Sequence, residues 1–176
     1  MAVRSLADAD RIQRFMRALG EATPAEARVY FTGGATAVLH GWRASTIDVD
    51  IRPVPEHDAL LRAIPQLKET LDINVELASP DHFIPVKPGW EDRSPFVARE
   101  GRVSFHHFDL YAQALSKIER GHAQDLEDVR EMLDRGLVDR PGLRGYFQDI
   151  APHLYRYPAI DPDTFRAAVD EATRSG

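Results

Sequence analysis

The sequence predicts a mixed α/β (α+β) fold, in which a short mixed β-sheet is packed by helices and followed by a helical C-terminal part. Three observations predict it. A β-prone run, Arg28-Val29-Tyr30-Phe31, stops at Thr32-Gly33-Gly34 and gives way to a short helical segment; Ile47 to Arg52 alternates apolar and charged residues with period two; and from Asp109 onward apolar residues recur at helical spacing. The sheet-bearing core is expected over residues 1–108, with the helical part, residues 109–176, packed on the same domain.

From the N-terminus, Ile12, Phe15, Met16 and Leu19 after Asp8 predict an amphipathic helix ended by Gly20. The strand through Phe31 follows, then a helix from Ala35 to His40. Gly41 to Thr46 is expected to be a loop, and Pro53 and Pro55 to break the strand that begins at Ile47. Leu60, Leu61, Ile64, Leu67 and Leu71 mark a helix interrupted or bent near Pro65. Ile73 to Leu77 forms a strand, and the proline-rich stretch from Ser79 to Pro95 a long loop of the kind that is often functional or mobile. Phe96–Arg99 and Arg102–Phe105 flank Glu100-Gly101, a hairpin signal.

Helices then run from Asp109 to Arg120 and through Leu126, Val129, Met132 and Leu133, punctuated by Gly121 and Gly136. A further short helix carries Phe147 and Ile150. A terminal one, with Phe165 and Val169, begins near Asp161-Pro162-Asp163.

With 176 residues, 43% of them apolar, the chain can bury a core without a covalent staple. It has no cysteine, which excludes disulfides, thiolate metal sites and cysteine nucleophiles, so any metal must use oxygen or imidazole ligands. No apolar run approaches the roughly 20 residues that span a bilayer, and the N-terminus lacks the order of a signal peptide; a cytoplasmic location and no membrane partner are expected. The net charge of −6 argues against broad non-specific nucleic-acid binding, although a local basic patch could still dock RNA.

The chemistry centres on Asp48-Val49-Asp50. Two carboxylates at i and i+2 on a strand share a face and can share divalent ions, and Mg²⁺ (or Mn²⁺) binds one or two such groups while water and substrate phosphate complete its shell. Acidic pairs also occur on solvated strands, so the pair alone is weak. Its context strengthens it: Gly33-Gly34 lies between a strand and a helix start, where glycine lets the backbone approach an anion, and the order of segments places both features at the same end of neighbouring strands. Arg43, Ser45 and Thr46 just before the acidic strand could reach phosphate or hold the loop by local hydrogen bonds. His106 and His107, adjacent on a strand, point to opposite faces and read as structural. Trp42, Trp90, Phe83 and Tyr111 could stack on a base, but read more simply as core or loop anchors. No Ser/His/Asp triad or Walker-type loop is present.

Gly33-Gly34-x-x-Ala37 followed by Arg43-x-x-Thr46-x-Asp48-x-Asp50 resembles the signature of the nucleotidyltransferase superfamily that includes polymerase beta. A downstream block, Lys117-Ile118-x-Arg120-Gly121-x-x-x-Asp125-Leu126-x-Asp128-Val129, is similar to the distal motif of small bacterial and archaeal nucleotidyltransferase-like proteins related to abortive-infection and toxin–antitoxin nucleotidyltransferases. The resemblance spans Val29 to Leu133 and makes residues 1–108 the expected nucleotidyltransferase core. It implies a nucleotidyltransferase fold with Asp48, Asp50 and a third carboxylate, Glu76, as metal ligands and catalytic groups; Glu76 would also serve as general base. Gly33, Gly34, Arg43 and Thr46 would hold the nucleoside triphosphate, Lys117 would neutralise its charge, and Asp125 would orient Lys117 or Arg120.

Plain alternatives stand beside these roles. Glu76 reads equally as an exposed strand glutamate, Lys117 and Arg120 as surface cations near a helix C-terminus, Asp125 as a helix cap and Asp128 as a solvated first-turn residue. The expected activity is metal-dependent transfer of a nucleotidyl group to a hydroxyl of RNA, protein or a small molecule, with an antitoxin as a possible partner. The alternatives are a non-catalytic nucleotide-binding or protein-interaction module of the same fold, and a scaffold whose acidic strand is merely solvated.

Overall fold

The computed structural model describes residues 5–175, and the chain forms two compact units. The first runs to Ser79 and takes up the chain again over Ser94–Phe108; the second comprises Pro80–Arg93 and the chain from Asp109 onward. Among the described residues no helix is long and apolar enough to cross a membrane.

In the first unit the elements are β1 (Ala7–Asp8), α1 (Ala9–Ala22), β2 (Ala27–Thr32), α2 (Gly34–His40), β3 (Ser45–Thr46), β4 (Val49–Val54), α3 (Asp58–Thr70), β5 (Val75–Leu77), β6 (Phe96–Glu100) and β7 (Val103–His107). Five strands form a mixed sheet in the order β5-β4-β2-β7-β6, with β2/β4 and β6/β7 antiparallel and β2/β7 and β4/β5 parallel. One face carries Val29, Phe31, Val49, Ile51, Val75, Val103 and Phe105 into a core completed by α1, α2 and α3. Side-chain alternation along each strand therefore sends Thr32, Asp50 and Glu76 to the other face.

Several local expectations are corrected. Helix α1, capped by the Asp8 carboxylate on the Arg11 amide at 2.8 Å, continues past Gly20 to Ala22. Gly20 is there for packing, since a Cβ at that position would lie 2.5 Å from the Glu100 carbonyl oxygen. The Gly41–Thr46 stretch is not all loop, because Ser45–Thr46 pairs with Ala7–Asp8 in a small antiparallel sheet. Ile47 is 70% exposed and the strand starts only at Val49. That strand also runs on through Pro53, which pairs with Val29; β5 accompanies β4 only as far as Ile51, so Pro53 sits where one side of the strand has no β5 partner to receive a missing N–H. Helix α3 runs unbroken across Pro65, its face of Leu60, Ala63 and Ile64 buried in the core.

The second unit is helical: α4 (Leu110–Arg120), α5 (Ala123–Asp134), α6 (Arg140–Ile150), a 3₁₀ stretch at Ala151–Arg156, and α7 (Pro162–Ala172). Helix α4 packs against α5, α6 and α7. Aspartates 109, 139 and 161 cap α4, α6 and α7 through backbone amides of their first turns. Gly121 and Gly136, both left-handed, close α4 and follow α5 as the sequence predicts.

The proline-rich segment contains a 3₁₀ turn, Pro80–His82, and is anchored along its length. Ile84 is fully buried, the Tyr157 hydroxyl donates to the Asp81 carbonyl at 2.6 Å, the Lys87 amide donates to the Tyr146 hydroxyl at 3.1 Å, and Arg93 Nε donates to Asp109 at 2.9 Å.

Candidate active site

In the first unit the acidic residues meet at one end of the sheet. Asp50 of β4 lies in register with Glu76 of β5 on one side and with Thr32 of β2 on the other, so the three share a face. Asp48 precedes the strand by one residue and is half-buried on that same face, two positions from Asp50. Asn74 ties the group together: its amide donates to Asp48 Oδ1 and lies 3.5 Å from Glu76 Oε1, while its carbonyl accepts from the Val49 amide at 2.8 Å. Sequence reasoning missed Asn74. The signal was present, because Asn74 stands two residues before Glu76 and so shares its face.

The glycine turn abuts this row. Gly33 follows Thr32 directly and has φ 65° and ψ −131°, a conformation closed to residues with a Cβ; a Cβ there would also approach Asp50 Oδ2 to 3.2 Å. At Gly34, the first residue of α2, a Cβ would fall 2.0 Å from Thr46 Oγ1 and 3.3 Å from Arg43 Nη1. Thr46 and Arg43 are therefore laid against Gly34 because glycine leaves the space. The Thr46 hydroxyl donates to the Asp48 carbonyl at 3.0 Å, tying the turn to the acidic strand. Gly33, Gly34, Arg43, Thr46, Asp48, Asp50 and Glu76 thus form one neighbourhood.

Lys117 and Asp125 form a separate cluster in the second unit. Lys117 Nζ lies 2.7 Å from Asp128 Oδ2 and 3.9 Å from Asp125 Oδ1, and Arg120 grips Asp125 with two hydrogen bonds of 2.6 and 2.9 Å. Lys117, Asp125 and Asp128 are all buried. The surface-cation alternative fails for Lys117, and the solvated-carboxylate alternative for Asp128. Helix α5 is capped at His122, so Asp125 is no cap; it is the third residue of the helix and turns inward onto Arg120. Burial pushes the Asp125 carboxyl up, but the Arg120 hydrogen bond and charge, with Lys117 behind them, more than offset this and hold it below the usual range.

Among the described residues no three His, Asp or Glu side chains are arranged as a ready-made metal cage. The donor set at Asp48, Asp50 and Glu76 is nonetheless all oxygen and fits Mg²⁺, which takes one or two carboxylates and draws the rest of its shell from water and phosphate. The histidines fall outside this chemistry, as the sequence predicts: His106 Nδ1 is 3.2 Å from the Ser94 carbonyl, and His107 Nδ1 is 3.0 Å from the Thr36 hydroxyl on the core side of the sheet. Of the aromatics, Trp42 stacks on His40 and Tyr111 on Tyr146, while Phe83 is exposed.

A mixed sheet that sets a strained glycine turn beside a row of carboxylates has the parts expected of a nucleotide-handling fold. Residues 9–159 match the model of a family described as nucleotidyltransferase of unknown function (DUF6036), and the chain belongs to that family. No curated protein and no solved structure matches it.

Proposed function

We propose that the chain is an active, metal-dependent nucleotidyltransferase, which moves a nucleotidyl group from a nucleoside triphosphate to a hydroxyl acceptor and releases pyrophosphate. The observation that carries this is the convergence of Asp48, Asp50 and Glu76 beside Gly33 and Gly34, with Asn74 holding two of the three carboxylates. Asp50 and Glu76 are cross-strand neighbours in register and Asp48 shares their face, so this sheet end presents hard oxygen donors of the kind Mg²⁺ takes together with water and phosphate.

In this reading Asp48 and Asp50 are the residues that hold the metal, with Glu76 assisting. Mg²⁺, when bound, would neutralise charge on the attacking and leaving oxygens. The acceptor hydroxyl gives its proton to Glu76 as its oxygen bonds to the α-phosphorus, and the bond to pyrophosphate breaks. Gly33 and Gly34 leave the backbone bare for the triphosphate, and Arg43 beside Gly34 supplies a guanidinium for its oxygens. Lys117 is assigned charge neutralisation by motif match, with its ammonium oriented by Asp128 and Asp125. RNA, protein and small-molecule hydroxyls are the acceptor classes, and an antitoxin-like protein is the proposed partner.

The test is a thermal-shift series with Mg²⁺ and each nucleoside triphosphate on wild type and Asp50→Asn, followed by labelled-nucleotide transfer to total RNA and total protein. Saturating nucleotide should stabilise the wild type by about 2.7 kcal/mol at a hundredfold excess over Kd, only when Mg²⁺ is present, and Asp50→Asn should fold normally yet transfer nothing. Full transfer by Asp50→Asn would remove the metal role. Stabilisation without transfer to any acceptor would favour the non-catalytic nucleotide-binding module.

A further inference from the structure

The buried threonines of this protein have hydrogen-bond partners, with one exception beside the carboxylate row. Thr23 and Thr173 donate to the carbonyls of Leu19 and Val169, each at 2.7 Å, and Thr46 donates to that of Asp48 at 3.0 Å. Thr36 lies 3.0 Å from His107 Nδ1 and 3.5 Å from the Phe31 carbonyl. Thr32 is only 8% exposed, yet its hydroxyl has no hydrogen-bond partner among the described residues. It is not fully enclosed either, so the sliver of Thr32 that remains exposed includes the hydroxyl. A strand threonine cannot fold back onto a carbonyl one helical turn earlier, as Thr23 and Thr173 do. Native proteins pair nearly all buried polar groups, and an exception calls for a water or a ligand.

The place of this hydroxyl in the fold says which ligand. Thr32 ends β2, stands in register with Asp50 on the carboxylate face, and directly precedes Gly33 with its φ of 65°. Ionised carboxylates only accept hydrogen bonds, whereas a hydroxyl can donate one. Thr32 thus adds a donor at the start of the glycine turn, and the Arg43 guanidinium lies against Gly34. A cation at position 32 would pair with Asp50 across the strands and compete with a metal for it; a neutral donor does not.

We infer that Thr32 is a further substrate-contacting residue, whose hydroxyl donates to a non-bridging oxygen of the triphosphate held at the Gly33-Gly34 turn. The inference rests on the nucleotidyltransferase reading of the carboxylate row and adds a phosphate contact to it.

The full chain as wild type, Thr32→Val and Thr32→Ser decides this, with Mg²⁺ and inorganic tripolyphosphate as one probe and Mg²⁺ with each nucleoside triphosphate as the other. Valine keeps the shape of threonine without the hydroxyl; serine keeps the hydroxyl. Without ligand, Thr32→Val should unfold in urea at the wild-type midpoint or above it, since no protein hydrogen bond is lost. In calorimetric titrations it should bind both probes at least about tenfold more weakly, and Thr32→Ser should restore most of the affinity. In labelled-nucleotide transfer, KM for the nucleotide should rise by about the same factor, with a smaller change in kcat. Equal binding by wild type and Thr32→Val would overturn the inference and leave the proposed function standing. Weaker binding of nucleotide with unchanged binding of tripolyphosphate would do the same, by placing the hydroxyl on the sugar or base. Weaker binding together with a lowered ligand-free midpoint would make Thr32 structural. A wild type that binds neither probe with Mg²⁺ would overturn the inference along with the function it rests on. Thr32→Ala, which also lacks the hydroxyl, gives the same comparison if Thr32→Val fails to fold.

Discussion

Lys117 Nζ and Asp128 Oδ2 meet at 2.7 Å with side chains only 7% and 2% exposed, so helices α4 and α5 are joined by an ion pair almost wholly out of water. Removing one partner strands a buried charge. Asp128→Leu or Lys117→Met should each cost about 3–5 kcal/mol in urea unfolding, while the double variant should recover most of that loss because an apolar pair of similar volume tolerates burial. If Lys117 also neutralises the nucleotide, the double variant should fold yet transfer no label. Normal transfer by a stable double variant would make the lysine purely structural.

Gly34 is predicted to be intolerant of even one methyl group. Gly34→Ala would set a Cβ 2.0 Å from Thr46 Oγ1 and 2.7 Å from Thr46 Cβ, which must push the turn away from Asp48. A loss of about 1–3 kcal/mol is expected from overpacking, and Thr46→Ala in the same chain should relieve part of it. Thermal or urea midpoints of the two variants decide this, and no relief in the double variant would place the strain elsewhere.

Asn74 should control metal affinity without being a ligand. Its amide orients Asp48 and lies near Glu76, and support of this kind is commonly worth 10–100-fold in metal binding. Asn74→Ala should therefore shift the Mg²⁺ concentration needed for half-maximal transfer upward by about that factor, with a smaller change in rate at saturating metal. An unchanged Mg²⁺ dependence would deny the role.

His107 makes stability depend on pH. The folded protein holds its proton off until about pH 3, whereas the unfolded chain takes it up near the ordinary 6.5. Between those values the unfolded state binds more protons, so the contribution is complete above about pH 6.5 and is lost as the pH falls toward 3. Between pH 7 and pH 4.5 the loss should be about 2–3 kcal/mol. Urea midpoints for wild type and His107→Gln at both pH values measure it, because the glutamine variant should lack this component; parallel curves would contradict the buried neutral imidazole.

Much of the site can be read along the chain because its parts are local. Asp48 and Asp50 share a face through strand alternation alone, and Gly33-Gly34 announces a backbone that no Cβ can follow. Asn74 was legible by the same alternation but lacked a charge to draw notice. Gly20 and Pro53 misled, since each is a local breaker whose effect depends on neighbours distant in sequence: Glu100 against Gly20, and the short reach of β5 beside Pro53.

Composition, periodicity and motif spacing by themselves determined a mixed α/β chain with a helical last third, the strand bearing the paired aspartates, and the glycine turn before it. Tertiary structure alone decided that Asp50 faces Glu76, that Thr46 and Arg43 lie against Gly34, and that Lys117 is buried on Asp128 rather than displayed. It also decided that His107 lines a cleft on the sheet face opposite the carboxylates. The physical reason is the range of the interactions. Periodicity and turn chemistry act over a few neighbouring residues, whereas strand register, ion-pair burial and cleft shape are set by segments tens of residues apart that meet only when the chain is packed.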